Sequence, residues 1–230
     1  VAMYEAKNRG GGIKFYDSND DKHTPQRLAL IAELNSAIRD HQLERHYQPK
    51  ISVTSGEVRG FEALVRWNHK SMGLLYPDKF VPLAEMSDSI HYMTEAVLRL
   101  ALQQQNDWYK AGHEFSVAVN LSARNLIDDR VIKALQAMFE EFSVKPGMLE
   151  LEITETALMQ DPETAVAILN RLSDMGVKLS IDDFGTGYSS LSYLRELPTK
   201  LLKIDREFVL NMLDNEQDSI IINSTVALAH

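Results

Sequence analysis

The sequence predicts an α/β fold in which crossover helices cover a mostly parallel sheet. Three observations predict it. Apolar, strand-like runs at 46–53, 58–67, 115–123, 151–155, 177–184 and 201–205 alternate with helical patterns. The first two runs are joined only by Thr54, Ser55, Gly56 and Glu57, a hairpin length that makes this one pair antiparallel. Polar side chains also recur inside or at the ends of these runs, where burial is costly unless they are paired or ligated.

The elements follow in order. Residues 1–9 (VAMYEAKNR) read as the end of a helix stopped by Gly10, Gly11 and Gly12. A short strand-like stretch (IKFYD) and a polar break (SNDDKH) follow, the latter a plausible linker. Thr24 before Pro25 has the form of an N-cap with proline at the first helical position. Leu28, Ile31, Leu34 and Ile38 then predict one apolar face. Further on, 89–111 reads as a helix ended by Gly112, and 129–142 places Val131, Leu135, Met138 and Phe142 on one side. Residues 162–175 begin at an Asp161–Pro162 cap and stop at Gly176. Residues 216–230 open another helix.

Length and composition bound what such a fold can do. With 230 residues, 44% hydrophobic and 25% charged, the chain suits one large or two small soluble domains with a substantial core. It has no cysteine, which excludes disulfides and thiolate metal sites and fits a cytoplasmic setting. A formal net charge of −9 argues against nucleic acid or an anionic membrane surface as partner. No apolar run approaches the ~20 residues needed to span a bilayer. Both ends fall within helical patterns, so the chain reads as part of a longer protein.

The polar positions carry the chemistry. Glu62 lies among Phe61, Ala63 and Leu64, and Asn120 closes the run SVAVN. Glu152 and Glu155 bracket Ile153 and Thr154, Asp182 and Asp183 are adjacent after KLSI, and Lys203 and Asp205 flank Ile204. In a barrel of parallel strands the C-terminal ends meet on one face, where active sites lie. Lys203 and Asp205, two apart, should share a side of their strand. Adjacent Asp182 and Asp183 converge only if the strand ends there and the chain turns, with Gly185 and Gly187 supplying the turn. A single buried acid near a strand end is ordinarily a structural hydrogen-bonding group. A set on successive strands, with an asparagine and a lysine, points instead to hard cations such as Mg²⁺ or Mn²⁺. Two such ions can clamp a phosphodiester. The seven histidines show no metal-ligand spacing, and RHYQPK reads as plain strand.

Taken together, FEALVRW (61–67), VNLSA (119–123), LEITET (151–156), DDFGTGYSSL (182–191) and LLKID (201–205) resemble the EAL family of cyclic-di-GMP phosphodiesterases, in order and spacing. YQP (47–49) and FVPLAE (80–85) add lesser matches. The resemblance implies a modified TIM (β/α)8-type barrel with one antiparallel strand, over 24–230, lacking the last two of its eight strands. It implies hydrolysis of cyclic-di-GMP to pGpG with two divalent metals, Mg²⁺ or Mn²⁺. Glu62, Asn120, Glu152 and Asp182 would be ligands of the first metal, and Asp182 and Asp183 ligands of the second. Lys203 would orient or activate the attacking water, with Asp205 hydrogen-bonding nearby. Glu155 would anchor the DFGTGYSS loop. Gln48, Leu64 and Arg66 would contact substrate, and the domain would form a homodimer.

Residues 1–23 resemble the tail of a GGDEF domain plus a linker, which implies a tandem GGDEF–EAL parent. Two other readings are an inactive domain that binds cyclic-di-GMP as a signal and a protein-interaction module. Against both stand Glu62, Asp182, Asp183, Arg66 and Gln48, all retained.

Overall fold

A computed structural model describes residues 25–187 and 194–229. The expectations for residues 1–23, the Thr24 cap and the 188–191 part of DDFGTGYSSL lie outside the described residues. Helix α1 (Pro25–Arg39) leads into the hairpin β1 (Leu43–Ile51) and β2 (Val58–His69). A short β3 (Gly73–Leu75), α2 (Pro77–Glu85) and the long α3 (Ser89–Lys110) follow. Then come β4 (Ser116–Leu121), α4 (Arg130–Glu141), β5 (Leu149–Thr154), the single turn α5 (Glu155–Leu158) and α6 (Pro162–Asp174). The described chain closes with β6 (Lys178–Phe184), β7 (Leu201–Ile204), α7 (Arg206–Asn211) and α8 (Glu216–Ala229).

All seven strands form one sheet in the order β1-β2-β4-β5-β6-β7, with β3 paired to β2. The hairpin is antiparallel as its short turn requires, and β2, β4, β5, β6 and β7 run parallel. The added strand, β3, pairs antiparallel with Trp67–His69. It occupies the edge that β4 leaves free, because β4 pairs β2 only over Gly60–Ala63. Glu62 therefore lies mid-strand, yet at the end of the parallel ladder.

The sheet is strongly curled. A contact between β7 and β2 spans four strand spacings, about 19 Å on a flat sheet at ~4.8 Å each. Yet Lys203 Nζ on β7 reaches Glu62 Oε2 on β2 at 3.4 Å. Lys50 on β1 likewise meets Glu150 on β5 at 2.8 Å. The concave side is polar. The convex side is the core, where Val117, Val119, Leu149, Leu151, Ile153, Leu179 and Ile181 pack under Leu102, Leu135, Met138, Leu169 and Leu172. Each fully buried Leu or Ile here stabilises the fold by roughly 1.5–3 kcal/mol. A second cluster, with Leu34, Trp67, Phe80 and Ile90, ties α1 and α2 to the far end of the hairpin.

Several expectations are corrected. The face of α1 is Leu30, Leu34, Ala37 and Ile38, while Leu28 is exposed, because the helix packs against α2 and the hairpin a turn later than the pattern suggested. The first strand begins at Leu43, three residues early, held by antiparallel pairing out to Trp67. The strand expected to include Glu155 stops at Thr154, whose side chain caps the next turn by accepting from the Ala157 N–H. Gly112 and Gly176 do end their helices, at φ +88° and +86°.

Gly60 shows how tightly β2 and β4 approach. A Cβ there would lie 2.1 Å from Ser116 Oγ and 2.5 Å from the Ser116 carbonyl oxygen. The hydroxyl can rotate away; the backbone carbonyl cannot. Gly60→Ala is expected to cost roughly 1–3 kcal/mol, read as a lower urea midpoint with an unchanged slope. An unaltered midpoint would contradict this close approach.

Candidate active site

Side-chain alternation sends Glu62, Glu152 and Asp182 to the concave side of the sheet. One oxygen of each lies within 4.8 Å of the others. The Lys203 ammonium sits among them, donating to Asp182 Oδ2 at 3.0 Å, Glu62 Oε2 at 3.4 Å and Glu152 Oε2. The second oxygen of each carboxylate is also engaged. Asn120 Nδ2 donates to Glu62 Oε1 at 2.8 Å, Lys50 Nζ to Glu152 Oε1 at 3.3 Å, and the Asp183 N–H to Asp182 Oδ1 at 3.0 Å. Lys50 also donates to Glu150 Oε2 at 2.8 Å.

Glu152 is wholly shielded from solvent. Burial pushes its carboxyl up to about 7; Lys203 opposes the shift and the Glu62 charge adds to it. Burial alone would lower the Lys203 ammonium, but its contacts with Glu152, Asp182 and Glu62 outweigh that and hold it above the ordinary lysine value. Asp183 is raised by burial and by the charges of Asp182 and Asp205. Negative charge is thus in surplus, and three single oxygens converge on a point already held by a cation. Hard oxygen donors of this kind suit a divalent metal, and the ammonium marks where positive charge is favoured.

Asp182 and Asp183 are arranged differently from the expectation: Asp182 joins the converging oxygens of Glu62 and Glu152, and the Asp183 carboxylate lies beside Asp205. The strand does not end at Asp182. It runs on to Phe184, with a break in register against β7 between Ile181 and Phe184. Asp183 takes a left-handed backbone, φ +52°, which turns its side chain off the alternation. Gly185 at φ +98° then begins the loop.

Glu155 is not part of the carboxylate cluster. It is buried at the start of α5, and its Oε2 accepts from the Gly185 N–H at 3.0 Å. A Cβ on Gly187 would fall 2.8 Å from Glu155 Oε1, so the loop lies directly on this carboxylate. Asp205 caps α7, accepting from the Glu207 N–H at 2.6 Å, with its charge beside Asp183.

Gln48 pairs directly opposite Glu62 across the hairpin, so both share the concave face. Leu64 and Arg66 follow Glu62 on that face at steps of two. Arg66 lies over the Tyr76 ring at 4.8 Å, donates to the Val65 carbonyl at 2.8 Å, and its buried Nε has no partner among the described residues. Leu64 and Asn120 border a largely apolar cavity of about 510 Å³, walled by Val81, Ile90, Met93 and Val97.

Sequence reasoning missed Lys50, Glu150 and Tyr76. Lys50 lies two residues from Gln48 and Glu150 two from Glu152, so the period-two pattern was the available signal for both. Nothing local marks Tyr76, which precedes α2 while its partner Arg66 lies on β2.

Residues 31–230 match the family model described as EAL domain. Over 230 residues the chain is 41% identical to the bifunctional diguanylate cyclase/cyclic di-GMP phosphodiesterase MucR of Pseudomonas aeruginosa, covering 99% of this chain and 34% of that protein. It is also 41% identical over 231 residues to the cyclic di-GMP phosphodiesterase NbdA of the same organism, covering 100% and 30%. The chain therefore spans about a third of the length of these curated relatives. A solved structure described as the PaMucR phosphodiesterase in a c-di-GMP complex matches with a TM-score of 0.82 at 42% identity, over 87% of this chain and 81% of that one.

Glu155→Ala would leave the Gly185 N–H without its acceptor, at a cost of about 1–3 kcal/mol. Amide hydrogen exchange at Gly185 should then quicken by roughly tenfold or more. Unchanged protection would show that another group holds the loop.

Proposed function

The chain belongs to the EAL domain family, and from that premise we propose that it hydrolyses cyclic-di-GMP to linear pGpG with divalent cations held in the carboxylate centre. The observation that carries the reading is the convergence of Glu62, Glu152 and Asp182 on the Lys203 ammonium. The names of MucR and NbdA, and the c-di-GMP in the PaMucR structure, support the substrate.

Glu62, Asn120, Glu152 and Asp182 would hold one cation, and Asp182 with Asp183 a second. Bound Mg²⁺ or Mn²⁺ supplies Lewis acidity, making water nucleophilic near neutral pH and offsetting charge on the phosphoryl oxygens. The carboxylates around Lys203 favour its ammonium form, which donates hydrogen bonds. Its part is to orient the attacking water through a hydrogen bond and to balance charge. Asn120 fixes the Glu62 carboxylate plane through its 2.8 Å bond. Arg66 offers a planar fork to two phosphate oxygens, braced by Tyr76. Leu64 and the apolar cavity beside it receive a base, and Gln48 donates from the opposite strand. Attack opens one P–O3′ bond of the ring, leaving a 5′-phosphate and a free 3′-hydroxyl.

The parent protein enters the same proposal. Residues 1–23 read as a GGDEF tail and linker, which the bifunctional name of MucR supports. The EAL domain is taken to pair with a second copy. Among the described residues no helix is long and apolar enough to cross a membrane.

Glu62→Ala removes one of the three converging oxygens. Release of pGpG, followed by chromatography with Mn²⁺, should fall to the background rate, while near-normal turnover would sink the ligand assignment. The proton on Glu152 gives a second test. Its carboxyl, raised to about 7, holds a proton below that pH which a cation must displace. Mn²⁺ affinity, measured by calorimetry, should therefore weaken as pH falls below about 7, by roughly tenfold per unit for one competing proton. A flat profile from pH 8 to 5.5 would contradict Glu152 as a ligand.

A further inference from the structure

Each of the three carboxylates at the centre presents one oxygen inward, and a protein donor occupies the other. For Asp182 that donor is a backbone N–H, and for Glu62 it is Asn120. For Glu152 it is Lys50, which reaches across the curled sheet from β1 and is braced on its far side by Glu150. Lys50 is about a third exposed, whereas Glu150 and Glu152 are almost entirely buried. This ammonium is therefore held in place by two carboxylates that have little freedom to move.

Cations differ in what they ask of a carboxylate. Mg²⁺ is small and near-octahedral, and it takes carboxylates through single oxygens. Ca²⁺ takes six to eight oxygens and readily chelates a carboxylate through both. A glutamate with one oxygen already hydrogen-bonded to a fixed ammonium is poorly placed for two-oxygen chelation. We propose that Lys50 is a positioning residue that sets cation choice: by holding Oε1 of Glu152 it confines that glutamate to one-oxygen ligation and disfavours Ca²⁺ relative to Mg²⁺ and Mn²⁺. This rests on the metal-dependent reading above and adds to it a residue outside the expected ligand set.

The ratio of two affinities isolates the effect. The Lys50 charge repels Ca²⁺ and Mn²⁺ alike, since both are divalent, so that contribution largely cancels in Kd(Ca)/Kd(Mn). What remains is the freedom of Glu152 to chelate. Residues that orient a metal ligand typically alter affinity by about 10–100-fold, so a change of about tenfold in the ratio is the expected scale.

The experiment is calorimetric titration of the full chain with MnCl₂ and, separately, CaCl₂, for the wild type, Lys50→Met, Lys50→Gln and Lys50→Arg. Lys50→Met should lower Kd(Ca)/Kd(Mn) by about tenfold. Lys50→Arg and Lys50→Gln, which keep a donor for Oε1, should stay closer to the wild-type ratio. Should Lys50→Met fail to fold with Glu150 left unpaired, Lys50→Met/Glu150→Gln removes both charges and is expected to give the same shift. A purely structural ion pair would lower the melting temperature and leave the ratio unchanged; that result overturns the proposal. A wild type that binds Ca²⁺ as tightly as Mn²⁺ overturns it as well. A wild type that binds neither ion sinks the metal-dependent reading itself, a different failure read in a different sample.

Discussion

One ammonium organises the concave side of this sheet. Lys203 arrives on β7 and is gripped by acids from β2, β5 and β6. Without it, Glu152 would be a fully buried charge facing two others, and desolvation of each ion costs several kcal/mol. With it, strands four places apart in the sheet are drawn to within a hydrogen bond. The Lys50 contacts with Glu150 and Glu152 repeat the device one layer further in. Curvature and charge are thus one constraint: the sheet must curl for the charges to meet, and the charges must meet for the curled interior to be stable.

The convex side makes that arrangement possible. Small and branched residues on β4, β5 and β6 pack under α3, α4 and α6, leaving the strands little room to slide. A one-residue slip would move Asn120, Glu152 and Asp182 into the apolar layer. The departure from strict alternation at Asp183 is local and is followed by a glycine. Beyond it, Glu155 holds the Gly185 N–H, so the loop is tied to a buried carboxylate that does not belong to the centre. The loop start and the carboxylate centre are therefore held by neighbouring but separate acids, only three residues apart at Glu155 and Glu152.

Much of this was legible in the sequence, for a physical reason. Glu62, Glu152, Asp182 and Lys203 stood out because an apolar strand tolerates a charge only when something compensates it. Asn120 stood out for the same reason, and the four-residue hairpin fixed one strand direction. Lys50 and Glu150 stayed hidden because a lysine near a hairpin turn and a glutamate at a strand start are ordinary. Their significance comes from a contact across 100 residues of chain. The Asp182–Asp183 geometry was misread because a bulge leaves no local mark; it is visible only in the register of the neighbouring strand. The face of α1 was set by what it packs against, which periodicity in Leu28, Ile31, Leu34 and Ile38 could not show.

The centre draws on residues from position 50 to position 203, and that separation has a consequence for how the molecule comes into being. Emerging from the ribosome in order, Glu62, Glu152 and Asp182 are all present before Lys203 is made. A nascent chain that began to curl early would bring like charges together with only Lys50 to moderate them. Such a collapse is unfavourable until β7 is available, so the carboxylates themselves discourage premature closure. Long-range closure of this kind is also slow relative to local helix formation. The site therefore cannot be complete before β7 is made.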